Sequence, residues 1–226
     1  MNLLVVAAHP DDEVLGAGGT MYKLAKEGAE VSVCVLSGGV EVRSFRPSDE
    51  ELADDISTSA GTLGVKRVIK GGFPNIAFNT EAHLHLVQFV EKALLETAPD
   101  IVITHHPADT NNDHLHTSLA CQAAIRLFQR RTEVKPIREF WYMEVPSATD
   151  WSVNRAMTPF TPNTFIEVGE EGVARKIAAL SQYRGVMRDY PHPRSEEALR
   201  GLAAYRGSQA GLVFAEAFDC AFRRWQ

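Results

Sequence analysis

Two short stretches of the chain concentrate the side chains that could bind a metal ion or move a proton. The first, residues 8–13, reads AHPDDE and places a histidine and three acids directly after an apolar run. The second, residues 104–118, reads THHPADTNNDHLHTS and holds four of the eight histidines within twelve residues. Imidazole and carboxylate groups are common ligands of divalent metal ions in enzymes. The two stretches together therefore predict a catalytic metal site.

The spacing in the first stretch suggests a division of labour between two neighbouring aspartates. His9 and Asp12 are three residues apart in a turn, so both can face one ion, whereas Asp11 projects differently. A carboxylate held near the ion but not bound to it suits a general base that activates metal-bound water. The alternative interpretation is that Asp11 or Asp12 only caps the following helix. The glycines that follow do not form a dinucleotide-binding pattern, because Met21 stands where the third glycine should be.

The third metal ligand is expected from the second stretch. A catalytic zinc ion uses three protein ligands and keeps one position open for water. Spacing alone leaves the choice of histidine open. His105 and His106 point to opposite faces if the strand reaches them, and His114 and His116 face different sides of a helix. Asp113 could orient the imidazole beside it.

The elements that must position these residues can be predicted from the apolar pattern. Apolar runs alternate with amphipathic segments of helical length, which predicts a single α/β domain with a mostly parallel sheet flanked by helices. Functional groups in such sheets gather at the carboxyl ends of the strands, so the two stretches should meet at one rim. The predicted strands are 2–7, 31–37, 66–70, 100–104, 137–143 and 164–168, and the predicted helices are about 17–28, 48–63, 81–97, 114–130, 170–188 and 195–205.

Composition narrows the class of protein. The 226 residues are 45% hydrophobic, enough for the core of one domain. The net charge of −6 does not favour a nucleic-acid partner, and no run approaches the roughly 20 apolar residues of a membrane helix. The N-terminus reads as a first strand and not as a signal peptide. Three cysteines outside any CxxC motif indicate free thiols in a reducing cytoplasm.

Three motifs resemble those of the PIG-L/LmbE-type zinc N-deacetylases. They are AHPDDE at 8–13, HHPADTNNDH at 105–114 and HPRSEEALRGLAAYRGSQAGLVFAEAF at 192–218. The resemblance spans nearly the whole chain. It implies a Rossmann-like fold and hydrolysis of the N-acetyl group of an N-acetylglucosamine-type sugar or its small soluble conjugate. Members of the family often form oligomers, so a homo-oligomer is an expectation here as well.

The resemblance also implies roles for individual residues. It makes His9, Asp12 and His114 the zinc ligands, which selects among the histidines that spacing left open, and it makes Asp11 the general base. Iron or manganese is also compatible with two histidines and an aspartate. Zinc-bound water would lose its proton to Asp11 and attack the amide carbonyl.

This chain departs from the family pattern at one position that matters for the transition state. Several members have a histidine two residues before the aspartate of the second motif, and Asn111 occupies that position here. We expect His106 or His192 to take over the stabilisation of the oxyanion.

The expected substrate-binding residues are Arg43, Asp113 and Arg194. Arg43 belongs to the loop after the second predicted strand, and arginine binds carboxylate or phosphate groups through two parallel hydrogen bonds. Two other functions remain open from the sequence. One is a metal-dependent amidase that acts on a non-sugar amide, and the other is a non-catalytic sugar-binding protein on the same fold. The intact Asp11 argues against pure binding, which needs no base.

Overall fold

The computed structural model describes residues 1–39, 47–153 and 156–225. Thirteen longer elements build the fold. In chain order they are β1 (Asn2–Ala7), α1 (Asp12–Lys26), β2 (Glu30–Ser37), α2 (Asp49–Thr62), β3 (Arg67–Phe73), α3 (His83–Thr97), β4 (Ile101–His105), α4 (Asn112–Ala124), β5 (Glu139–Met143), β6 (Thr164–Glu167), α5 (Gly169–Leu180), α6 (Glu196–Ala210) and β7 (Ala215–Arg223). Within the described ranges, no helix combines the length and the apolar character that crossing a membrane requires.

The seven strands of the described residues belong to one sheet, in the order β3-β2-β1-β4-β5-β7-β6. The five strands from β3 to β5 are parallel to one another, whereas β7 runs antiparallel to both β5 and β6. The mostly parallel α/β sheet predicted from the sequence is confirmed. The strand β7 was not predicted. It lies between β5 and β6, and it is exposed over its last three residues, which weakens its apolar pattern.

Alternating side chains of β1 point into two separate hydrophobic cores. Leu3 and Val5 pack on one face with residues of α1, α2 and α5, and Leu4 and Val6 pack on the other face with residues of α3 and α4. All four side chains are fully buried. A strand covered on both faces needs a continuous apolar run, and this explains the unbroken NLLVVA at the N-terminus.

The observed helices differ from the predicted ones where glycine or tertiary contacts decide their ends. Helix α1 begins at Asp12 instead of near residue 17, so the glycine-rich segment is helical. A Cβ atom added to Gly16 would lie 2.3 Å from Met143 Sδ, so this glycine allows α1 to lie close to β5. Helix α4 starts two residues earlier than predicted and ends at Ala124. Helix α5 ends at Leu180, and the residues predicted as its last two turns form a loop.

A buried carboxylate stabilises a break inside α1. Ala17 has a non-helical φ of −143°. The side chain of Glu216, on β7, accepts hydrogen bonds from the Gly19 N–H at 2.9 Å and the Thr20 N–H at 2.7 Å. It also pairs with Lys176 Nζ on α5 at 2.7 Å. Glu216 therefore replaces the backbone acceptors that the break removes, and it ties α1 to the sheet and to α5.

We predict that Glu216→Ala lowers the free energy of unfolding by about 3–5 kcal/mol, because it leaves a buried ammonium group without its partner. Denaturant unfolding of the purified variant measures this change. Glu167→Ala, at an exposed position of the neighbouring strand β6, is the matched control and should change stability by no more than about 0.5 kcal/mol. Equal stability of the two variants would show that the Glu216 contacts do not hold α1.

Candidate active site

The two motif stretches meet because β1 and β4 are neighbours in the sheet. The strands pair in parallel, with Leu3 opposite Ile101 and Val6 opposite Thr104. Their carboxyl ends therefore lie side by side. The turn after β1 carries the AHPDDE stretch, and the loop after β4 leads to α4 with the second histidine-rich stretch. The convergence at one rim follows from this register, as the sequence predicted.

His9, Asp12 and His114 form a compact and buried cluster. Asp12 Oδ2 lies 3.1 Å from His9 Nδ1 and 3.1 Å from His114 Nε2. One donor atom from each of the three residues lies within 4.8 Å of the others, which is a geometry that can hold a metal ion. His114 Nε2 is buried and makes no hydrogen bond. Two imidazole nitrogens and a carboxylate match the ligands of catalytic zinc, so the residues present fit a divalent ion.

Asp113 lies behind His9 and does not face the cavity. Its Oδ2 lies 2.9 Å from His9 Nε2. Its carboxylate also accepts hydrogen bonds from the N–H groups of Ile76 and Phe78, at 2.6 and 3.0 Å. The side chain is fully buried. Direct contact with substrate, as predicted from the sequence, does not match this position, because the carboxylate oxygens already have protein partners. The contacts match the orientation of a ligand imidazole.

Two neighbours besides Asp12 hold the ring of His114 in place. Asp109 Oδ2 lies 3.0 Å from its Nδ1, and the hydroxyl of Thr149 donates to the same carboxylate oxygen at 3.0 Å. The ring of His105 stacks on it with 3.8 Å between centroids. His105 itself is fixed, because its Nε2 accepts a hydrogen bond from the Ala8 N–H at 2.9 Å. The ring therefore has little freedom to turn away from Asp12.

The electrostatics of the cluster favour a positive charge. Burial lowers the pKa of His114, but the carboxylates of Asp12 and Asp109 outweigh it and raise the pKa to about 10. Burial by itself would raise the pKa of Asp12, yet His114 and His9 hold it well below its usual value. A site that stabilises an imidazolium so strongly also attracts a divalent cation.

Asp11 adopts a backbone conformation that non-glycine residues rarely take. Its φ is 106°, and such a conformation costs roughly 1–3 kcal/mol. It stands at the N-cap position of α1, yet its side chain makes no capping hydrogen bond. The interpretation that Asp11 only caps a helix is therefore wrong. Its carboxylate lies 3.3 Å from an Arg194 guanidinium nitrogen and lines the same cavity as the His9 cluster.

Glu13 and Tyr183 support the unusual backbone of Asp11. Glu13 Oε2 accepts a hydrogen bond from the Asp11 N–H at 3.1 Å, and its Oε1 accepts one from the Tyr183 hydroxyl at 2.6 Å. Both side chains are buried, and burial raises the pKa of Glu13 to about 8. Sequence reasoning missed this pair. Glu13 could have been recognised from the sequence, because it is the last residue of the AHPDDE stretch. Tyr183 lies within the predicted helix 170–188, and nothing in the sequence marks it as a partner of Glu13.

The two candidate oxyanion histidines lie in different places. His106 does not line the cavity. It packs edge-on against Tyr142 and Phe160, and its Nδ1 accepts the Ala108 N–H at 3.2 Å. The prediction that placed it near the metal ligands is not supported, because consecutive residues at a strand end face opposite sides and His105 takes the inward side.

His192 does line the cavity. Its Nδ1 accepts the Arg194 N–H at 3.0 Å, which leaves the ring proton on Nε2. Burial lowers the pKa of His192, and Arg194 and Arg188 lower it further, so the ring is a neutral hydrogen-bond donor. Asn111, where family members have a histidine, uses its side-chain oxygen to accept the Asp113 N–H at 2.9 Å and so caps α4.

A polar cavity of about 760 Å³ contains the cluster and the acid beside it. Its volume falls in the range of small-molecule sites. Arg194 lines it and is held by Ser147, whose hydroxyl accepts from Arg194 Nε at 2.9 Å. Arg43, the other predicted substrate-binding arginine, lies outside the described residues. The wall consists of His9, Asp11, Asp12, Asn75, Ile76, Thr110, Asn111, Asn112, His114, Ser147, Ala148, Gly185, Val186, Arg188, His192 and Arg194.

Comparison with known families is consistent with an enzyme site at this cluster. Residues 4–125 match the model of the PIG-L family, described as GlcNAc-PI de-N-acetylase. The chain belongs to this family. It is 26% identical over 190 residues to an uncharacterized deacetylase, YaiS, of Escherichia coli, an alignment that covers 80% of this chain and 90% of the relative.

Solved structures with the same fold cover almost the entire chain. The conserved protein TT1542 of Thermus thermophilus superposes with a TM-score of 0.79 at 25% identity, over 99% of this chain and 96% of the other. A 4-carboxy-2-hydroxymuconate hydratase of Pseudomonas putida superposes with a TM-score of 0.77 at 22% identity, over 100% and 98% of the two chains. The second likeness concerns the fold alone. Since fold does not decide function, the reaction must be argued from the site.

We predict that His114→Ala loses at least about a hundredfold in affinity for a divalent ion, because it removes one of three ligands. His106→Ala is the matched control, since that buried histidine lies outside the cavity and should leave affinity within a few-fold. Zinc titration of the metal-free proteins by competition with a chelating dye measures both. Wild-type affinity in His114→Ala would refute the proposed ligand set.

We predict that Asp113→Asn weakens metal affinity about 10–100-fold, which is the usual cost of losing a carboxylate behind a ligand imidazole. Once the variant is saturated with metal, its KM should stay near that of the wild type, because Asp113 does not reach the cavity. Metal titration and steady-state kinetics separate the two effects. A raised KM at saturating metal with unchanged metal affinity would instead support the substrate-binding role.

Proposed function

We propose that this protein is a zinc-dependent hydrolase that removes the N-acetyl group from an acetamido sugar or its small conjugate. The observation that carries the proposal is the position of Asp11. A strained acid that does not cap its helix lies beside a cluster of two imidazoles and a carboxylate, inside a polar cavity of about 760 Å³. Such a placement suits proton transfer at a metal site. The description of the family, a de-N-acetylase of an N-acetylglucosamine conjugate, supports the sugar amide as the substrate.

The residues divide the reaction between them as follows. His9, Asp12 and His114 would hold the ion. When bound, the ion would polarise the amide carbonyl and lower the pKa of a water molecule toward about 7. Asp11 takes the proton of the attacking water and returns it to the leaving amine, as general base and then general acid. Arg194, with a guanidinium nitrogen 3.3 Å from the Asp11 carboxylate, would hold this side chain in place beside the metal ligands.

His192 provides a neutral donor for the developing charge. The residue lines the cavity, and its Nδ1 already has a partner, so its Nε2–H is the group that would donate to an oxyanion. Hydrogen bonds aimed at an oxyanion are commonly a large part of catalysis. His192 would thus take the role of the histidine that several family members have in the second motif, at the position that Asn111 occupies here. The free state of all three cysteines supports a reducing compartment, and we place the reaction in the cytoplasm.

The function is tested by an acetate-release assay with the zinc-loaded protein. The substrates are methyl N-acetylglucosaminide, diacetylchitobiose and, as non-sugar amides, N-acetylated amino acids. Release from the acetamido sugars supports the proposal. Release from the amino acids only would favour the alternative amidase, and release from neither group would overturn the proposed deacetylase.

We predict that Asp11→Asn lowers kcat by about 10²–10⁴-fold, the usual contribution of a general base. KM and zinc content should stay near those of the wild type, because Asp11 acts in the transition state and does not bind the metal. Asp54→Asn, an exposed acid on α2, is the matched control and should keep full activity. Loss of zinc in Asp11→Asn, or a wild-type kcat, would contradict the division of labour between Asp11 and Asp12.

A further inference from the structure

The walls of the cavity differ in charge. One part is neutral and polar, with the side chains of Asn75, Thr110 and Asn112. Amide and hydroxyl groups of this kind suit the hydroxyls of a sugar. A second part, built from residues 185–194, carries basic side chains. This basic wall holds Arg188, His192 and Arg194.

Arg188 differs from Arg194 in its lack of partners. Arg194 is bound to Asp11 and to Ser147. Arg188 is exposed, and among the described residues its guanidinium makes no hydrogen bond or ion pair. Only its backbone N–H is engaged, with the Arg194 carbonyl at 3.4 Å, and this contact keeps the two arginines on one wall. A cavity-lining arginine without a protein partner is available to a ligand.

The side chains at the cavity surface would carry a positive excess once a metal ion is present. Asp11 and Asp12 are the only acids among the described lining residues, and the two arginines match them in number. The carboxylates of Asp109 and Asp113 offset charge at the ligands, but they lie behind the two imidazoles and do not line the cavity. The positive excess is therefore confined to the cavity surface, in a chain whose net charge is −6. Positive charge confined to one cavity of an acidic protein attracts anionic ligands and raises their local concentration.

We propose that the substrate is an anionic acetamido-sugar conjugate whose carboxylate or phosphate is bound by Arg188. The inference rests on the proposed function, because it places the acetamido group at the metal ligands of the same cavity. A volume of about 760 Å³ leaves room for a sugar and a substituent. The guanidinium fork matches both carboxylate and phosphate oxygens, so Arg188 recognises the charge that the two groups share.

The test compares three substrates that differ only at the anomeric substituent. They are methyl N-acetylglucosaminide, the corresponding glycoside of glycolic acid and N-acetylglucosamine 1-phosphate. The wild-type enzyme should show a kcat/KM at least about tenfold higher for one or both anionic sugars than for the methyl glycoside, mainly through a lower KM. The kcat/KM values of the glycolate and phosphate substrates show which of the two anions the enzyme prefers.

Arg188→Gln should reduce the anionic-over-neutral ratio of kcat/KM by about 10–100-fold, the loss expected for a charge-assisted pair of hydrogen bonds. Arg188→Lys keeps the positive charge but not the two parallel N–H donors of the guanidinium. Its anionic-over-neutral ratio of kcat/KM should therefore lie between those of the wild type and Arg188→Gln. Arg126→Gln, an exposed arginine outside this cavity, is the matched control and should keep the wild-type ratio.

Two outcomes would overturn the inference while the proposed function stands. One is acetate release from methyl N-acetylglucosaminide that equals release from both anionic sugars. The other is an Arg188→Gln variant that keeps the wild-type anionic-over-neutral ratio. Absence of acetate release from all three sugars would instead refute the proposed deacetylase, so the two failures are distinguishable.

Discussion

The site depends on one carboxylate oxygen that two distant imidazoles share. Asp12 Oδ2 lies at 3.1 Å from a ring nitrogen of His9 and from one of His114, residues more than a hundred positions apart. Only the parallel pairing of β1 with β4 brings them together. Each imidazole has a second carboxylate at its other nitrogen, Asp113 for His9 and Asp109 for His114. Both rings thus have a carboxylate beside each nitrogen, an arrangement that preorganises the cluster for a cation.

The same turn explains why adjacent aspartates can do different things. Asp12 belongs to the first turn of α1, where its side chain points to the imidazoles. Asp11 is one residue earlier, and its left-handed φ turns the chain so that the carboxylate faces the cavity. The strain is offset by the Glu13–Tyr183 hydrogen bonds described above. Backbone conformation therefore separates the proposed metal ligand Asp12 from the proposed base Asp11, although the two residues are adjacent in the sequence.

Much of this arrangement was readable from the sequence. The continuous apolar run of β1 and the alternation of strands and helices predicted the parallel sheet. Because functional groups gather at the carboxyl ends of parallel strands, the sequence also predicted that His9 and Asp12 would meet the second stretch. The choice of His114 required the family resemblance, because spacing does not tell which imidazole turns inward.

The errors share a physical cause, which is that tertiary contacts decided the outcome. The predicted start of α1, near residue 17, is five residues too late, because the sequence does not show that Gly16 packs against Met143 on β5. Asp113 looked free to bind substrate because its backbone partners belong to the segment after β3, far away in sequence. Arg188 lies within the predicted helix 170–188, but that helix ends at Leu180. Nothing in the sequence therefore indicated that Arg188 lines the cavity.

The cavity joins two parts of the chain, of which only one is covered by the family model. The proposed metal ligands and Asp11 all lie within residues 4–125, the part of the chain that the family model matches. Ser147 and the basic wall lie beyond it. Arg188, the proposed anion-binding residue, thus lies outside the segment that carries the proposed metal ligands and the proposed base. A substitution at Arg188 would change the accepted substrate and leave those residues in place, whereas His192 and Arg194 connect the same wall to the proposed reaction.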